Sequence, residues 1–195
     1  KSIGSQIQKS MKGEIMVRIG ILKNISARGK IKDAIEYISD VIDSGEKLIL
    51  FTHLREVQDM IMKSFPAAVS ILGDDDTATR QKNVDRFQTD PKVQLIVCSI
   101  KAAGVGITLT ASSRVAFLEL PWHPADCEQC EDRAHRIGQL DSVSCVYLLG
   151  KDTIDEHIYD IIDKKRSVSN AITGARDDVE MSVQSGVINL LSKNI

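Results

Sequence analysis

Residues 129–139 read QCEDRAHRIGQ, and within this stretch Gln129, Arg133 and Arg136 follow one another at intervals of four and three residues. In a helix that rises about 1.5 Å per residue, these three side chains lie on one face and span about 10 Å. We therefore predict a helix over residues 124–136 that presents two guanidinium groups and an amide together. Guanidinium groups stay charged at any working pH and bind phosphate oxygens through paired hydrogen bonds, so this face suits an anion.

The neighbouring face of the same helix is small and apolar. Cys130, Ala134 and Ile137 repeat the spacing one residue further on, and we expect them to pack against a sheet. The spacing by itself also allows a second interpretation, in which the arginines lie on a solvated face and pair with Glu131 and Asp132. An anion site and a solvated, salt-bridged face are equally compatible with the pattern.

Short apolar runs alternate with amphipathic stretches on both sides of this helix. The apolar runs predict strands over residues 48–51, 67–72, 93–98, 114–120 and 143–149. The amphipathic stretches predict helices over residues 30–44, 57–65, 77–87, 124–136 and 153–172. Gly45 ends the first of these helices, and Thr77 is the predicted N-cap of the third. Such an alternation predicts an α/β fold in three layers, a mostly parallel sheet with helices on both faces.

Composition and charge limit the classes of function. The chain has 195 residues, of which 27% are charged and 43% hydrophobic, as in ordinary globular domains. Aromatic residues make up only 4%, which argues against nucleic-acid binding by base stacking on aromatic platforms. The net charge of −2 does not support a generally basic nucleic-acid-binding protein. The sequence has no apolar run of the length that crosses a membrane, so we expect no membrane span.

The amino-terminal segment departs from this average charge. Residues 1–30 contain seven basic side chains and one acidic side chain, Glu14, which gives a formal charge of +6. A basic segment either lies near phosphate or is simply solvated, and both interpretations remain open. We divide the chain into a basic N-terminal helical extension or linker over residues 1–27, a main domain over residues 28–172 and a C-terminal tail over residues 173–195.

The cysteines favour packing over metal binding or disulfides. Cys98 and Cys145 lie in apolar runs and are predicted to be buried small side chains. A zinc-like grouping is formed by His123, Cys127, Cys130 and His135. A structural zinc site usually has a second pair of ligands in its own loop, so we predict no metal here.

No secretory signal precedes the cysteines, so we expect a reducing intracellular compartment, cytoplasmic in a bacterium or phage and nuclear in a eukaryote. Because the first residue is Lys1, we expect the chain to belong to a longer protein.

The stretch QCEDRAHRIGQ resembles motif VI of the Swi/Snf group of superfamily-2 helicase-like ATPases, whose signature is approximately Q-x-x-D-R-x-H-R-I-G-Q. Every fixed position of that signature is matched. Upstream, SIKAAGVGITLTAS at residues 99–112 resembles motif V, and PWHP at residues 121–124 resembles the step into motif VI. KLILFTHL at residues 47–54 resembles motif IV. The motifs occur in the order that the family requires.

The resemblance covers residues 28–172. GKDTIDEHIYDIIDKK at residues 150–165 resembles the bracing helix that closes the second RecA-like lobe of these motors. The Ser-Ile pair at residues 99–100 resembles the annealing-helicase branch of the group. The chain is thus identified as similar to a C-terminal RecA-like lobe.

In this family, ATP with Mg²⁺ lies between two RecA-like lobes, and the first lobe supplies the phosphate loop, the magnesium carboxylate and the catalytic base. The second lobe supplies arginine fingers, which the resemblance places at Arg133 and Arg136. Such fingers stabilise charge on the transferred phosphoryl group. Gln129 matches the position that contacts the nucleotide or orients the fingers. Gly104 and Gly106 match positions where the motif V backbone approaches nucleotide or DNA closely.

The resemblance also implies a DNA-binding edge. Motifs IV and V of the family hold the phosphate backbone of double-stranded DNA, which a motor must grip without regard to base sequence. The matching residues are Thr52, His53, Ser99, Lys101 and Thr108. All of them lie at or just beyond predicted strand ends, where parallel α/β sheets carry their ligand sites.

The catalytic set is incomplete within this sequence. It contains neither a G-x-x-x-x-G-K-[ST] phosphate loop nor a D-E-x-H box at a strand end, and residues 155–157 are predicted to be surface charges of a helix. The resemblance therefore implies a motor lobe that hydrolyses ATP only together with the N-terminal RecA-like lobe of the same polypeptide. The alternative is a non-catalytic nucleic-acid- or protein-binding module that retained the fold. The intact Gln129, Arg133 and Arg136 favour the motor lobe.

Overall fold

The computed structural model describes residues 3–104, 106–121, 124–169 and 185–187. The helices are α1 (Ile3–Gly29), α2 (Ile31–Asp43), α3 (Arg55–Ser64), α4 (Thr77–Thr89), α5 (Pro124–Ala134) and α6 (Ile154–Ser169). The strands are β1 (Leu48–Thr52), β2 (Val69–Ile71), β3 (Leu95–Ser99), β4 (Arg114–Phe117) and β5 (Ser144–Tyr147), with a 3₁₀ helix over Ile100–Gly104. The predicted alternation of strands and helices is confirmed in type and order.

The five strands form one parallel sheet in the order β2-β3-β1-β4-β5. The central strand β1 pairs with β3 on one side and β4 on the other, so the chain builds the sheet outward in both directions from β1. Thr52, the last residue of β1, lies opposite Ser99, the last residue of β3. The carboxyl ends of these strands therefore form one continuous edge, at the place where open α/β sheets bind ligands.

Both faces of the sheet are covered by helices, as predicted. Ile49 and Phe51 of β1 belong to a core that includes Phe87 of α4 and two cysteines of α5. The alternating residues Leu48 and Leu50 belong to a second core formed with α2 and α3. Each of these side chains is fully buried, and burying a large aliphatic or aromatic side chain stabilises a fold by about 1.5–3 kcal/mol.

Helix α1 extends two residues past the predicted domain boundary and packs as part of the same body. Ile19 of α1 is fully buried in a third core with Leu120 and with Ile158 of α6. Two of the basic residues of the amino-terminal segment are buried as well. Lys23 donates to the carbonyl of Leu120 at 2.9 Å, and Lys30 donates to the carbonyl of Leu148 at 2.6 Å. For these two lysines the solvated interpretation is wrong, while proximity to phosphate stays a prediction.

A buried polar cluster joins α1 to α6. Asp155 accepts hydrogen bonds from Lys30 at 2.5 Å, from Ser26 at 2.7 Å and from the amide of Gly150 at 3.0 Å. The Lys30 and Asp155 side chains are 8% and 6% exposed. The prediction that Asp155 is a surface charge is therefore wrong, because the first turn of α6 faces α1 rather than solvent. Glu156 and His157 are exposed, as predicted.

Local details of three elements differ from the sequence expectations. The N-cap of α4 is Asp76 rather than Thr77, because the extended Asp76 backbone allows its carboxylate to accept from the amide of Thr79 at 2.6 Å. Strand β4 ends at Phe117, although the next three residues remain buried. Gly45 ends α2 as predicted, with φ of +83°.

The carboxyl-terminal tail lies largely outside the described residues. Residues 170–172 of the predicted last helix also lie outside them. Within the tail, residues 185–187 are helical, and Val187 packs into the core that α1 and α6 share. No helix in the described ranges is long and apolar enough to cross a membrane.

Candidate functional site

Four of the predicted DNA-contacting residues meet at the carboxyl edge of two neighbouring strands. Thr52 ends β1 and His53 follows it, while Ser99 ends β3 and Lys101 lies in the 3₁₀ helix that comes next. The structure thus brings residues almost fifty positions apart in sequence to one edge, because β1 and β3 are paired in parallel register. This edge is called the strand-end edge below.

The side chains of the strand-end edge differ in accessibility. Thr52 is fully buried, Ser99 is 8% exposed, and His53 and Lys101 are exposed. Although His53 reaches solvent, partial desolvation, aided by the positive charges of Lys23 and Lys101, lowers its pKa. The imidazole is therefore neutral at pH 7 and offers a hydrogen bond rather than a charge. Lys101 is exposed, so it brings an accessible positive charge to this edge, whereas Lys23 is buried.

Glu119 holds the segment that carries His53, and sequence reasoning missed it. The residue is 3% exposed, and its Oε2 accepts hydrogen bonds from the amides of His53 at 2.8 Å and Leu54 at 2.9 Å. A buried carboxylate needs such partners, since its desolvation is costly. The signal that could have found it is an acidic residue inside an otherwise apolar run, FLEL at residues 117–120.

Thr108 lies apart from the strand-end edge and contacts the predicted arginine finger instead. Arg136 Nη1 donates to Thr108 Oγ1 at 3.1 Å and to the carbonyl of Gly106 at 3.3 Å. Gly106 has φ of +43°, a left-handed conformation that glycine adopts without strain. An added Cβ there would meet no atom within 4 Å, so backbone conformation rather than crowding within the lobe favours glycine. Gly104 ends the 3₁₀ helix two residues earlier.

Arg133 is enclosed in the lobe, whereas Arg136 is half-exposed. Arg133 Nε donates to the carbonyl of Gln129 at 3.1 Å, and Arg133 Nη1 has no hydrogen-bond partner among the described residues. Desolvation lowers the pKa of Arg133, and the like charge of Arg136 lowers it further. The structure therefore holds two guanidinium groups near each other, and Nη1 of Arg133 is a hydrogen-bond donor that has no acceptor among the described residues.

The solvated-face interpretation of the arginine helix is wrong for Arg133. Its proposed partner Glu131 is engaged elsewhere, because Glu131 Oε1 accepts from the Tyr147 hydroxyl at 2.5 Å and from Arg166 at 2.9 Å. Asp132 is exposed, and its charge acts on Arg133 only as a minor electrostatic influence.

Helix α5 ends at Ala134, so Arg136 does not lie on the helix face that the spacing predicted. A turn carries the chain onward, with the amide of Gln139 donating to the carbonyl of Arg136 at 3.0 Å. Gln139 Nε2 then donates to the carbonyl of Ser112 at 2.8 Å and ties this loop to the segment before β4. Ile137, predicted to pack on the sheet, is fully exposed in the loop. The loop, not the helix, sets the direction of the Arg136 side chain.

A cleft of about 210 Å³ opens beside the arginine loop. Its walls are Thr77, Arg80, Gln81 and Val84 of α4, and Gly106, Ile107 and Thr108 opposite. Arg80 Nη2 donates to the carbonyls of Leu72 at 3.3 Å and Gly73 at 2.9 Å, whereas its buried Nε has no hydrogen-bond partner among the described residues. The Gly106 and Thr108 contacts of Arg136 place that guanidinium next to this cleft.

The cysteines of α5 are packing residues. Cys127 and Cys130 are buried in the core between α5 and the sheet, and burial raises the pKa of Cys127 to about 12 and that of Cys130 further. His123, a member of the zinc-like grouping, lies outside the described residues, and His135 is exposed. Among the described residues, no group of three or more His, Cys, Asp or Glu side chains could hold a metal ion.

Comparison with known proteins agrees with this geometry. Residues 29–138 match the helicase conserved C-terminal domain family. The chain is 36% identical over 170 residues to a Xenopus tropicalis protein named SWI/SNF-related matrix-associated actin-dependent regulator of chromatin subfamily A-like protein 1, covering 84% of this chain and 18% of that protein. It is 34% identical over 158 residues to mouse DNA annealing helicase and endonuclease ZRANB3, covering 79% of this chain and 15% of that protein. The chain thus spans less than a fifth of each relative.

Solved structures share the fold. The Sulfolobus solfataricus SWI2/SNF2 ATPase core in complex with double-stranded DNA matches with a TM-score of 0.69 and 28% identity, over 89% of this chain and 39% of that one. The C-terminal part of the Fun30 ATPase domain matches with a TM-score of 0.68 and 25% identity, over 85% of this chain and 54% of that one.

Proposed function

This chain belongs to the helicase conserved C-terminal domain family, within the annealing-helicase branch of the Swi/Snf superfamily-2 group, and on that basis we propose that it is the second motor lobe of a DNA-dependent ATPase and translocase. In this proposal Arg133 and Arg136 act on ATP bound at the first lobe of the same polypeptide. The strand-end edge grips the phosphate backbone of double-stranded DNA. The whole polypeptide, rather than this lobe alone, hydrolyses ATP.

The observation that carries the nucleotide role is the pair of like-charged guanidinium groups of Arg133 and Arg136, in which Arg133 Nη1 lacks a hydrogen-bond partner among the described residues. Like charges near each other are unfavourable, and a buried guanidinium N–H without a partner costs further free energy. An anion bound beside the pair would offset the repulsion, and it would satisfy Arg133 Nη1 if binding brought that buried group into contact with it. The charge that develops on a phosphoryl group in transfer is such an anion, and two fixed guanidinium groups stabilise it more than the ground state.

Arg136 is the better placed of the two to reach a nucleotide. Its side chain is half-exposed, and its contacts with Gly106 and Thr108 fix its direction before the ligand arrives. Such pre-organisation lowers the cost of reorganisation in the reaction. Arg133 is held to the carbonyl of Gln129, so Gln129 orients this second guanidinium through its backbone.

The groups around the arginine loop suit phosphate better than a metal ion. Guanidinium and hydroxyl donors bind phosphate oxygens, whereas magnesium prefers carboxylate and phosphate oxygens in octahedral arrangement. ATP with Mg²⁺ therefore fits a site in which this lobe meets the phosphates and the first lobe holds the metal. The metal would neutralise charge on the phosphates there.

The DNA role rests on the strand-end edge and on one related structure. Lys101 supplies positive charge at this edge, and the neutral imidazole of His53 supplies a hydrogen bond. Contacts of this kind bind backbone phosphates without reading bases. One structural relative is a complex with double-stranded DNA.

Since the relatives are named for chromatin regulation and DNA annealing, we infer an intracellular, nuclear location for the parent protein if it is eukaryotic.

The test is the DNA-stimulated ATPase rate of the full-length parent protein. Arg136→Ala should lower kcat by a factor of about 10² or more, because a finger acts on developing charge, and nucleotide affinity should change less. Arg133→Ala should also lower kcat. Arg18→Ala is the matched control, since Arg18 is an exposed α1 residue whose partner is Glu14. Near-normal turnover of the Arg136→Ala protein would disprove its role as a finger.

A further inference from the structure

Glu119 supports the His53 segment from outside its own stretch of sequence. Helix α3 begins at Arg55, and its N-cap, Leu54, has no side-chain hydrogen bond to offer. Glu119, 65 positions along the chain, accepts from the amides of both His53 and Leu54. It therefore satisfies the amide of the N-cap residue Leu54, as the acidic residue of a capping box does, and also the amide of His53 before it.

The segment that follows β4 places Glu119 at this position. The amide of Leu118 donates to the carbonyl of Phe51 at 3.0 Å, so the chain beyond β4 still runs beside the end of β1. Glu119 follows directly and faces the segment where β1 gives way to α3. The next residue, Leu120, accepts a hydrogen bond from Lys23 of α1. The Glu119 carboxylate therefore lies beside the contact between α1 and the sheet.

Helix α1 stabilises this buried carboxylate electrostatically. Lys23 of α1 donates to the carbonyl of Leu120, and it is 9% exposed. Attraction between Lys23 and Glu119 opposes the desolvation that lowers the pKa of Lys23 to about 8. Opposite charges lower the cost of burying each other, so Lys23 and Glu119 each make burial of the other less unfavourable.

We propose that Glu119, supported by Lys23 of α1, is a positioning residue that fixes the His53 segment for contact with duplex phosphate. The proposal rests on the DNA role of the strand-end edge. Glu119 itself does not touch DNA. Its two hydrogen bonds occupy the amides of His53 and Leu54, so the His53 side chain is the group left to meet a phosphate. Through Lys23, the helix before the family domain takes part in shaping this edge.

The sign of the effect separates positioning from simple electrostatics. A carboxylate near DNA repels phosphate, so its removal would tighten duplex binding if charge alone mattered. Loss of a positioning residue acts in the opposite direction, because a segment that moves must be ordered again on binding. The direction of the change in affinity therefore reports the role of Glu119.

The experiment compares Glu119→Ala and Glu119→Gln in the full-length parent protein. Duplex affinity is measured by fluorescence anisotropy over a range of salt, and amide hydrogen exchange is measured for peptides that contain His53 and Leu54. Glu119→Ala should weaken duplex binding about fivefold or more and accelerate exchange at these amides. Glu119→Gln keeps an acceptor of similar shape, so its losses should be smaller and it should fold even if the alanine variant does not. Tighter duplex binding by the folded variants, or unchanged exchange at His53 and Leu54, would overturn the proposal.

A double-mutant cycle with His53→Ala separates this proposal from the DNA role on which it rests. If Glu119 acts through His53, the loss in duplex affinity for Glu119→Gln should largely vanish in the His53→Ala background. Fully additive losses would overturn the positioning role while leaving DNA binding at this edge intact. If His53→Ala and Lys101→Ala both bind duplex normally, the DNA role itself fails, and with it the positioning proposal, even if the amides exchange faster in Glu119→Ala.

Discussion

Neighbouring residues at the strand-end edge differ in how accessible they are to DNA. Thr52 and Ser99 are buried, so they shape the edge, while Lys101 stands in solvent just beyond Ser99. A buried hydroxyl can meet DNA only if the surrounding residues move, whereas an exposed ammonium can bind phosphate without such movement. Among these residues, the proposed contact of Lys101 with DNA phosphate is thus the easiest to test.

Lys101→Ala in the parent protein should weaken duplex binding about equally on all DNA sequences. Loss of one phosphate contact should reduce the slope of log affinity against log salt by about one unit. Lys92→Ala is a matched control, since Lys92 is an exposed lysine at the opposite, amino-terminal end of β3. Titrations at several salt concentrations measure both quantities. An unchanged salt slope, or a loss confined to one DNA sequence, would exclude Lys101 from the phosphate contacts.

Helices α1 and α6 act as one unit because buried polar groups join them. Asp155 collects hydrogen bonds from Ser26, Lys30 and the Gly150 backbone, and apolar side chains of both helices pack around Ile19. Burying an ion pair is costly unless its hydrogen bonds are satisfied, and here the carboxylate has several donors. The basic segment before the family domain therefore serves the packing of the lobe at Lys23 and Lys30.

Asp155→Ala should destabilise the lobe by about 3–5 kcal/mol, because it leaves the Lys30 ammonium buried without its counter-charge. Urea unfolding followed by circular dichroism measures the free energy of unfolding. Asp160→Ala, at an exposed position of the same helix, should change it by less than about 0.5 kcal/mol. The double variant Asp155→Leu with Lys30→Met should recover much of the loss. Equal effects of the buried and the exposed substitution would show that the ion pair does not join the helices.

In the proposed function the whole lobe supplies groups that bind phosphate but only half of a catalytic set. Its sequence has Arg133 and Arg136 of motif VI and has no phosphate loop. Stabilisation of transferred charge requires both a bound nucleotide and a finger in place. Activity is thus expected to depend on the relation between two lobes, since the chain covers only 18% and 15% of two of its relatives.

The chain on its own is expected to show no ATPase activity above background and to bind ATP only weakly, with or without duplex DNA. The physical reason is that its sequence contains neither a phosphate loop, which holds the nucleotide phosphates, nor a D-E-x-H box, which supplies the catalytic base. Steady-state phosphate release from the purified chain measures this. Turnover that is abolished by Arg136→Ala would contradict the prediction, since contaminating enzymes would not respond to that substitution.

The sequence by itself determined the type and order of the elements, the parallel α/β class and the residues of the motifs. These are local properties, because hydrophobic period, turn residues and motif spacing are written in short stretches of chain. The expectation of an anion-binding arginine pair is of the same kind. Its helix face was predicted incorrectly because α5 ends at Ala134, and a helix end depends on competing contacts beyond the helix.

Only the tertiary structure decided which charged residues are buried and what they hold. Asp155 meets Lys30 across 125 positions of sequence, and Glu119 meets His53 across 66. A charged side chain looks the same in sequence whether it is solvated or enclosed, because its environment is built by segments remote in the chain. The partners that make burial of a charge tolerable are therefore visible only once the sheet and its helices have packed.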